Sequence, residues 1–282
     1  MNYLITGASG FLGKNLVNFL EKKGCKVYKC GRDFNIRNQI YFDLEKEIII
    51  EKKILEKVDI LIHCAYSFDA SSIKRSKKIN VDGSEKLFEL VSRYKIKIIY
   101  ISSISAFKGC KSVHGKVKLE IEKLANKYNG IILRPGLIYS KNAQGAMFGS
   151  LINLVKRIPI IPLIDNGKQI LYMCELETLI KLIFILSKKN ISENIIVAAN
   201  KQPIMFKKVI KIIILKYNFK RILLPFPSII ILSFLKIFET LNINVRLQSD
   251  SLVSILNPNK NPLISDLDKY EISFPVFEKD FD

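Results

Sequence analysis

The chain has 282 residues, of which 49% are hydrophobic and 25% are charged, with 13 glycines and 9 prolines. This length and composition leave room for one large or two small globular domains, and they rule out fibrous, collagen-like and disordered proteins. The formal net charge of +19, from 45 Lys and Arg against 26 Asp and Glu, is typical of proteins that bind nucleic acids or anionic membranes.

The positive charge is scattered along the sequence. Lysine pairs such as Lys22-Lys23, Lys77-Lys78 and Lys207-Lys208 interrupt apolar segments. There is no run of five or more like charges and no RNA-recognition, zinc-finger or basic-zipper pattern. Because Lys, Ile and Asn all have AT-rich codons, base composition alone accounts for many scattered lysines. We therefore expect no nucleic-acid partner.

Cysteine and histidine usage indicates a reduced, metal-free protein. The cysteines are odd in number and lack CxxC spacing, which predicts reduced thiols of a cytoplasmic protein; they are Cys25, Cys30, Cys64, Cys110 and Cys174. With only His63 and His114 available, we expect no metal site. Residue 1 opens directly into an apolar strand, so we also expect no signal peptide.

The strongest pattern lies at the start of the chain. Tyr3-Leu4-Ile5 predicts a short strand, Gly7-Ala8-Ser9-Gly10-Phe11-Leu12-Gly13 follows at once, and apolar residues then recur at helical spacing. This order of strand, glycine turn and helix is typical of dinucleotide binding, because the turn brings phosphates to free N–H groups at the helix N-terminus. The alternative is a tight turn without a ligand.

The end of the second predicted strand, over 25–30, discriminates between NAD and NADP. An Asp or Glu at this point bonds the ribose 2′-hydroxyl of NAD, whereas a basic residue accommodates the 2′-phosphate of NADP. Gly31 stands where the acid is expected and Arg32 follows, which favours NADP over NAD. Two alternatives stay open: Arg32 is one more solvated base, or Asp33 serves NAD.

Strands and helices alternate as far as residue 135. Buried strands are predicted over 59–65, 96–103 and 131–135, and helices over 80–94 and 116–128. This alternation predicts an α/β fold with a doubly wound parallel sheet of the Rossmann type. The ligand crevice is expected beyond the carboxyl ends of the strands, at Gly7, Arg32, Cys64, Ser103 and Pro135.

Several motifs together carry a resemblance to a known family. They are Gly7-Ala8-Ser9-Gly10-Phe11-Leu12-Gly13, Asp43-Leu44, His63-Cys64-Ala65, Asn80-Val81-Asp82-Gly83, Ile101-Ser102-Ser103, Lys118-Leu119-Glu120 and Leu133-Arg134-Pro135-Gly136 with Tyr139. In this order they resemble the extended or atypical short-chain dehydrogenase/reductase superfamily, in particular the NAD(P)-dependent epimerase/dehydratase (nucleotide-sugar epimerase) family. The resemblance covers half of the chain, with a less distinctive match at Asp250-Ser251-Leu252 and Asn257-Pro258.

The resemblance implies roles for individual residues. Asp43 and Leu44 would contact the adenine, and Ala65 would line the dinucleotide. Lys118 would hold the nicotinamide ribose, and Pro135 would lie near the nicotinamide. The predicted cofactor-binding set is Gly7, Ser9, Gly10, Phe11, Leu12, Gly13, Arg32, Asp43, Leu44, Cys64, Ala65, Tyr66, Asn80, Ile101, Ser102, Lys118 and Pro135.

This chain departs from the family's catalytic pattern. The family pairs a Tyr with a Lys four residues later on one helix, so that the tyrosine exchanges a proton with a substrate hydroxyl and the lysine lowers the phenol's pKa. Here Lys118 is present but His114 stands in place of the tyrosine. An imidazole, with an ordinary pKa of about 6.5, is able to accept such a proton, but it reaches less far than a phenol. Either His114 replaces the tyrosine or the position has lost its role.

The serine partner is also open. The family's catalytic Ser or Thr falls on Ile104 here, and Ser103 or Ser105 is able to substitute if the loop shifts by one residue. The predicted catalytic set is Lys118, His114, Ser103 and Ser105. We expect His63 to be a satisfied core residue, and Tyr139 to be structural or to line the substrate pocket.

Beyond residue 136 the strict alternation stops. Helices are predicted over 146–157 and 177–188, an irregular apolar link over 159–165, and a strand over 195–199 that returns to the main sheet.

The resemblance also implies a division into two domains. Residues 1–135, together with a returning helix and strand at about 172–199, would form the NAD(P)-binding domain. Residues 136–171 and 200–282 would form a smaller, mostly helical substrate domain.

Residues 222–241 combine an apolar segment, predicted as a helix, with lysines that precede it. Such a helix is either buried in the core or in a homodimer interface, or it contacts an anionic membrane surface peripherally. We expect no spanning helix, because the longest uncharged stretch, 222–235, contains Pro225 and Pro227 and is shorter than the roughly 20 apolar residues that spanning requires.

Together these patterns predict an NAD(P)-dependent epimerase, dehydratase or reductase. Its substrate would be a small molecule, a nucleotide-activated or lipid-linked sugar used in surface polysaccharide synthesis. The alternative is an NAD(P)-binding protein without redox turnover, which serves as a sensor or a structural subunit. A third hypothesis is a membrane-associated accessory protein.

Overall fold

The computed structural model describes residues 1–32, 39–68, 72–141, 145–189, 191, 193–229, 233 and 249–281. The strands within these ranges are β1 (Asn2–Thr6), β2 (Lys26–Gly31), β3 (Gln39–Tyr41), β4 (Ile60–His63), β5 (Lys97–Ile101), β6 (Ile131–Pro135), β7 (Leu137–Tyr139), β8 (Ile160–Ile164), β9 (Ile170–Leu171), β10 (Met173–Glu175), β11 (Ile195–Ala198), β12 (Ile204–Met205) and β13 (Ile222–Phe226). The helices are α1 (Phe11–Lys22), α2 (Lys52–Leu55), α3 (Ile73–Ser92), α4 (Val113–Lys127), α5 (Ala146–Arg157), α6 (Leu176–Lys188), α7 (Phe206–Lys216), α8 (Ser249–Leu256) and α9 (Phe277–Asp280).

The centre of the fold is a parallel sheet in the order β11-β6-β5-β4-β1-β2-β3, counted over the described residues. Its registers align the strand ends, so that Thr6 of β1 lies beside Cys30 of β2 and His63 of β4. The predicted doubly wound α/β fold is confirmed. The strand expected over 195–199 is present as β11, which pairs with β6 at the sheet's edge.

Both faces of the sheet are covered by helices, which is why its strands are apolar throughout. One core cluster packs Ile5 and Ile62 against Leu16 of α1 and Leu182 of α6. On the opposite face Leu4, Leu61 and Tyr100 pack against Phe88 of α3 and Ile121 of α4. Successive strand residues therefore point into two separate cores.

Two helices begin earlier than the apolar spacing predicts, because serine caps lie upstream of it. The Ser72 side chain accepts a hydrogen bond from the Arg75 N–H, and α3 starts at Ile73 rather than at residue 80. Ser112 accepts from the Gly115 N–H in the same way and starts α4 ahead of residue 116. Such caps satisfy the free N–H groups of the first turn.

The irregular link predicted over 159–165 is wrong, since β8 occupies most of it. Ile161 and Leu163 are buried in a third core, and β8 pairs in parallel with β13, with Ile160 opposite Ile222. The partner strand is about sixty residues away in the sequence, so no local pattern indicated the pairing.

The predicted helix over 222–241 is also wrong at its start, which is strand β13. Ser228, Ile229 and Ser233 are helical, and residues 230–232 and 234–241 lie outside the described residues. In the described ranges, no helix has the length and apolar character needed to cross a bilayer. The division into a cofactor domain and a substrate domain stays a prediction.

The third core holds the C-terminus against the region after the main sheet. Tyr139, Phe148, Phe277 and Phe281 are buried there, and the Phe281 ring centroid lies 5.1 Å from those of Phe148 and Phe277. Tyr139 donates a hydrogen bond to Asp280 at 3.0 Å. Tyr139 is therefore structural.

We expect the substitution Phe281→Ala to lower the free energy of unfolding by about 3–5 kcal/mol, because it opens a cavity among these rings. Urea-induced unfolding measures the loss. Leu263→Ala is the matched control, since Leu263 is 90% exposed and its truncation is expected to change stability by less than about 0.5 kcal/mol. Equal effects of the two substitutions would contradict docking of the C-terminus in this core.

Candidate functional site

A cleft of about 880 Å³ lies at the carboxyl ends of the central strands. Its wall includes every predicted site residue except Asn80, and it adds side chains from α5, β9, α8 and the loop after α8. The predicted residues that line it are Gly7, Ser9, Gly10, Phe11, Leu12, Gly13, Arg32, Asp43, Leu44, Cys64, Ala65, Tyr66, Ile101, Ser102, Ser103, Ser105, His114, Lys118 and Pro135.

The glycine turn between β1 and α1 is built without room for side chains. Gly7 has φ +67°, and a Cβ there would lie 2.9 Å from the Ala65 nitrogen. A Cβ at Gly13 would lie 2.1 Å from the Gly7 carbonyl oxygen. The turn thus brings the start of α1 against the ends of β1 and β4, and Phe11, Leu12 and Gly13 of the first helical turn line the cleft. This cradle suits an anionic pyrophosphate.

Arg32 follows β2 and is exposed at the cleft wall, while Gly31 before it is buried. The loop after β3 carries Asp43, whose carboxylate accepts a hydrogen bond from the Glu45 N–H at 3.0 Å, and Leu44, which is buried. These residues form the end of the cleft next to β2. Asp33, the alternative NAD determinant, lies outside the described residues.

Asn80 is buried and is not among the residues that line the cleft; its assignment as a cofactor contact stays a prediction. Its amide oxygen accepts from the Ser67 N–H at 2.7 Å, and its amide nitrogen donates to the Ser67 carbonyl at 3.0 Å. Ser67 does line the cleft. These two hydrogen bonds therefore fix the backbone of Ser67 in the segment after β4.

His63 is a core residue, as its place in an apolar strand predicts. Its two ring nitrogens lie 2.7 Å from Thr6 Oγ1 and 3.0 Å from Ser84 Oγ. Burial, and then the charge of Lys118, lower the pKa of His63 to about 3. The imidazole is neutral at physiological pH and links β1, β4 and α3.

His114 lies in an aromatic slot at the start of α4. Its ring contacts Tyr66 edge-on, with centroids 4.8 Å apart, and stacks on Phe68 at 5.7 Å. Nδ1 lies 3.3 Å from Ser105 Oγ, which in turn lies 2.8 Å from Ser103 Oγ. Burial, and then the nearby charge of Lys118, lower the pKa of His114 to about 3. The site thus presents a neutral imidazole joined to a chain of two hydroxyls.

Lys118 lies one helical turn further along α4 and is buried. Its Nζ donates a hydrogen bond to the Ile101 carbonyl at 2.7 Å and lies 4.9 Å from the ring centroids of Tyr66 and Tyr100. Burial lowers the pKa of Lys118 to about 8, against the opposing effects of Cys64 and Glu122. Lys118 is therefore mostly charged at neutral pH and loses that charge as the pH rises through about 8.

The hydroxyls of the β5 loop divide into two groups. Ser102 donates to Glu122, whose carboxylate also forms a salt bridge with Arg134 of β6. This buried network joins α4 to the ends of β5 and β6, and the Ser102 hydroxyl proton is donated within it. Ser103 and Ser105 hydrogen-bond to each other beside His114.

Asp250 of α8 is a site residue that the sequence did not assign. Its carboxylate accepts from the N–H groups of Val113 and His114, at 2.6 and 2.9 Å. Ser254, on the same helix, donates to Ser112 at 3.1 Å. A carboxylate at a helix N-terminus is favoured by free N–H groups and by the helix dipole. Asp250 thus fixes the backbone of His114, and their separation of 136 positions in the sequence left no local signal.

Tyr66 also lines the cleft, and its ring contacts that of His114. Burial raises the pKa of Tyr66 to about 12. The phenol therefore keeps its proton under working conditions and is a poor base. Tyr100 is fully buried in the core, where burial raises its pKa further.

The sequence of the chain is similar to the model of a known family and to individual proteins of known name. The model of the NAD dependent epimerase/dehydratase family matches residues 3–171. The chain is similar to the ceramide reductase of Caulobacter vibrioides (strain NA1000 / CB15N), with 24% identity over 176 residues, 59% of this chain and 55% of the relative. It is also similar to the dTDP-D-glucose 4,6-dehydratase of Dictyostelium discoideum, with 31% identity over 166 residues, 51% of this chain and 38% of the relative. The matched region thus spans about half or less of these relatives' lengths.

Solved structures share the fold at low sequence identity. The UDP-glucose 4-epimerase of Thermotoga maritima, solved with UDP-glucose, has a TM-score of 0.71 at 15% identity and covers 100% of this chain and 96% of its own. The dTDP-4-dehydrorhamnose reductase of Bacillus anthracis str. Ames, solved with NADP, has a TM-score of 0.69 at 18% identity, with 99% and 96% coverage. The TM-scores establish the common fold, and at identities this low the likeness shows the fold alone.

The two imidazoles of the chain give a direct test of the site's electrostatics. We expect neither His63 nor His114 to titrate between pH 8 and pH 5, because the pKa of each is lowered to about 3. Two-dimensional NMR of the ring nitrogens follows both, and His114→Gln assigns the signals. An inflection near pH 6.5 from His114 would contradict its burial beside a charged lysine.

The same shifts predict how stability depends on pH. Below about pH 6.5 the unfolded chain binds protons at both histidines and the folded chain does not, so stability is lost as the pH falls from about 6.5 towards 3. Each histidine contributes a slope of up to about 1.4 kcal/mol per pH unit. Urea titrations across this window should show a smaller slope for His114→Gln.

Proposed function

The chain belongs to the NAD dependent epimerase/dehydratase family, and on that premise we propose that it oxidises or reduces a carbon of an activated sugar with NAD or NADP. One observation carries the proposal: the glycine turn, Arg32, His114 and Lys118 all line one cleft. That cleft lies where doubly wound sheets bind dinucleotides.

The chain's own residues suit a dinucleotide along the length of the cleft. The turn at Gly7 and Gly13 would hold the pyrophosphate against the start of α1, and Asp43 and Leu44 would contact the adenine. Arg32, which no described carboxylate neutralises, would pair with a 2′-phosphate, so we propose NADP as the preferred cofactor. The nicotinamide, when bound, gives or takes the hydride.

We assign proton handling at the reacting carbon to His114. Its ring is neutral at working pH, so one nitrogen is able to accept a proton from a substrate hydroxyl. Ser105 and Ser103 would then carry a proton onward from Nδ1, since their hydroxyls are already in hydrogen-bond contact. Lys118 would supply a positive charge next to the His114 ring and these two hydroxyls, and it would hold the ribose. Asp250 keeps the His114 backbone in place.

The substrate class rests on the relatives. Two of the proteins compared above are named for work on dTDP-D-glucose and UDP-glucose, which supports a nucleotide-activated sugar. The far wall of the cleft combines Leu171, Met147 and Ile255 with the polar Tyr172 and Asn259. Such a mixed wall also suits a lipid-linked sugar, and either substrate agrees with a role in surface polysaccharide synthesis.

A second candidate is a cofactor-binding protein without turnover. It is favoured by the His114 ring itself, whose pKa of about 3 makes it a weak base. The ring is also held between Tyr66 and Phe68, and Ile104 occupies the position of the family's catalytic serine. In this case NADP would be bound as a signal or as a structural element.

For cofactor binding, we expect purified protein to bind both NADPH and NADH, and Arg32→Ala to weaken NADPH about tenfold or more while leaving NADH unchanged. Calorimetric titration measures the affinities. Arg93→Ala, an exposed arginine of the α3 terminus outside the cleft, is the control. If neither cofactor binds, both candidate functions fail; equal weakening of both cofactors would place Arg32 at a group that they share.

For turnover, we expect His114→Phe to lower kcat on the best nucleotide- or lipid-linked sugar by about 10²–10⁴-fold, with NADPH affinity retained. His114→Tyr should restore part of the loss.

Activity of the wild type should fall as the pH rises through about 8, where Lys118 loses its charge. If the whole substrate panel is inert while NADPH binds tightly, the second candidate replaces the first.

A further inference from the structure

The two-stranded pair of β8 and β13 has one buried face and one exposed face. Ile161 and Leu163 point into the third core. On the other side Ile160 lies opposite Ile222, and Leu224 and Phe226 follow at alternate positions. All four of these side chains are exposed, Ile222 by 60%. We call Ile160, Ile222, Leu224 and Phe226 the β8/β13 face.

Two further exposed aliphatic residues flank the two strands in the sequence. Ile158, just before β8, and Ile229, just after β13, are also exposed, the latter by 72%. Scattered single hydrophobic residues are ordinary at protein surfaces, but a contiguous group marks an interaction site. Burying these side chains in water-free surroundings would supply the main free energy of that interaction.

A basic pair precedes each strand of the β8/β13 face. Lys156 and Arg157 come before β8, and Lys220 and Arg221 come before β13. Because the strands run parallel, both pairs lie at one edge; the Arg221 guanidinium donates to the carbonyls of Val155 and Lys156, at 2.6 and 2.7 Å. We call Lys156, Arg157, Lys220 and Arg221 the basic edge.

The charge of the basic edge is not neutralised within the described part of the chain. The salt bridges found there use other cations, such as Lys208 with Glu278 and Lys141 with Asp280. Four positive charges therefore stand together beside exposed aliphatic side chains. A partner for this surface has to offer negative charge and an apolar phase next to each other.

We propose that the β8/β13 face and the basic edge form a docking surface for an anionic lipid bilayer. Aliphatic side chains would enter the boundary between headgroups and acyl chains, while the cations would pair with lipid phosphates. A second copy of the chain suits the surface poorly, because it offers no negative charge: a two-fold contact with the strands of both copies in the same direction would bring two basic edges together, and one with the strands in opposite directions would leave each basic edge without a counter-charge. Nucleic acid offers negative charge but no apolar phase for Ile222 and Leu224.

The proposal is independent of the proposed function, because binding is measured without turnover. Full-length protein is floated with vesicles of phosphatidylglycerol and phosphatidylethanolamine, and with vesicles of phosphatidylcholine alone. We expect flotation with the anionic vesicles and much less with phosphatidylcholine. Added salt should weaken the binding, since it screens exposed charges.

Two pairs of variants separate the apolar and the electrostatic contributions. The double variant Ile222→Ser/Leu224→Ser removes apolar area, and Leu263→Ser, at a side chain 90% exposed elsewhere, is its control. The double variant Lys156→Gln/Lys220→Gln should weaken partitioning about fivefold for each lysine removed, and Lys52→Gln/Lys53→Gln is its control. Far-ultraviolet circular dichroism and urea-induced unfolding show that each variant is folded.

Three outcomes would overturn the proposal. The first is no flotation of the wild type on anionic vesicles, and the second is flotation that the face variants and their controls change equally. The third is a dimer in solution that Ile222→Ser/Leu224→Ser converts to monomer, which would make the β8/β13 face an interface between copies. Failure of NADPH binding would leave the docking surface standing and would refute the proposed function alone.

Discussion

The buried ammonium of Lys118 determines what the rest of the site is able to do. A cation removed from water is costly unless polar groups surround it. The Ile101 carbonyl, the faces of two tyrosine rings and the nearby Glu122 carboxylate provide those groups. Burial lowers the pKa of Lys118 to about 8, and Cys64 and Glu122 oppose that shift. The charge then acts on its neighbours and helps to keep both imidazoles of the chain neutral.

The parallel sheet brings the functional groups of the cleft together. Its registers align the strand ends, so the loops after β1, β2, β4, β5 and β6 lie together at the carboxyl end of the sheet. Each loop contributes a group of a different kind: backbone N–H groups, an arginine, an aromatic slot, hydroxyls and a proline. Since the strands are buried on both faces, these groups are held by rigid elements rather than by the loops alone.

Local patterns in the sequence predicted most of the central sheet and the cleft. The glycine turn and the apolar strands are encoded in short stretches, because backbone conformation and burial set their residues directly. Contacts between distant segments were not predictable in this way. The Asp250 cap of α4 and the pairing of β8 with β13 depend on tertiary packing. The family's motif at Asn80 is present, but its side chain hydrogen-bonds to Ser67 and is not among the groups that line the cleft.

In the proposed function His114 takes the place of a tyrosine, and this changes the effect of the neighbouring Lys118. A positive charge favours the loss of a proton from a phenol, so it makes a tyrosine a better base. The same charge opposes the gain of a proton by an imidazole, so it makes His114 a weaker base. A proton that reaches the His114 ring therefore does not stay there, and the hydroxyl of Ser105, 3.3 Å from Nδ1, offers it a way onward. Under the charge of Lys118, an imidazole is suited to relay a proton and not to store one.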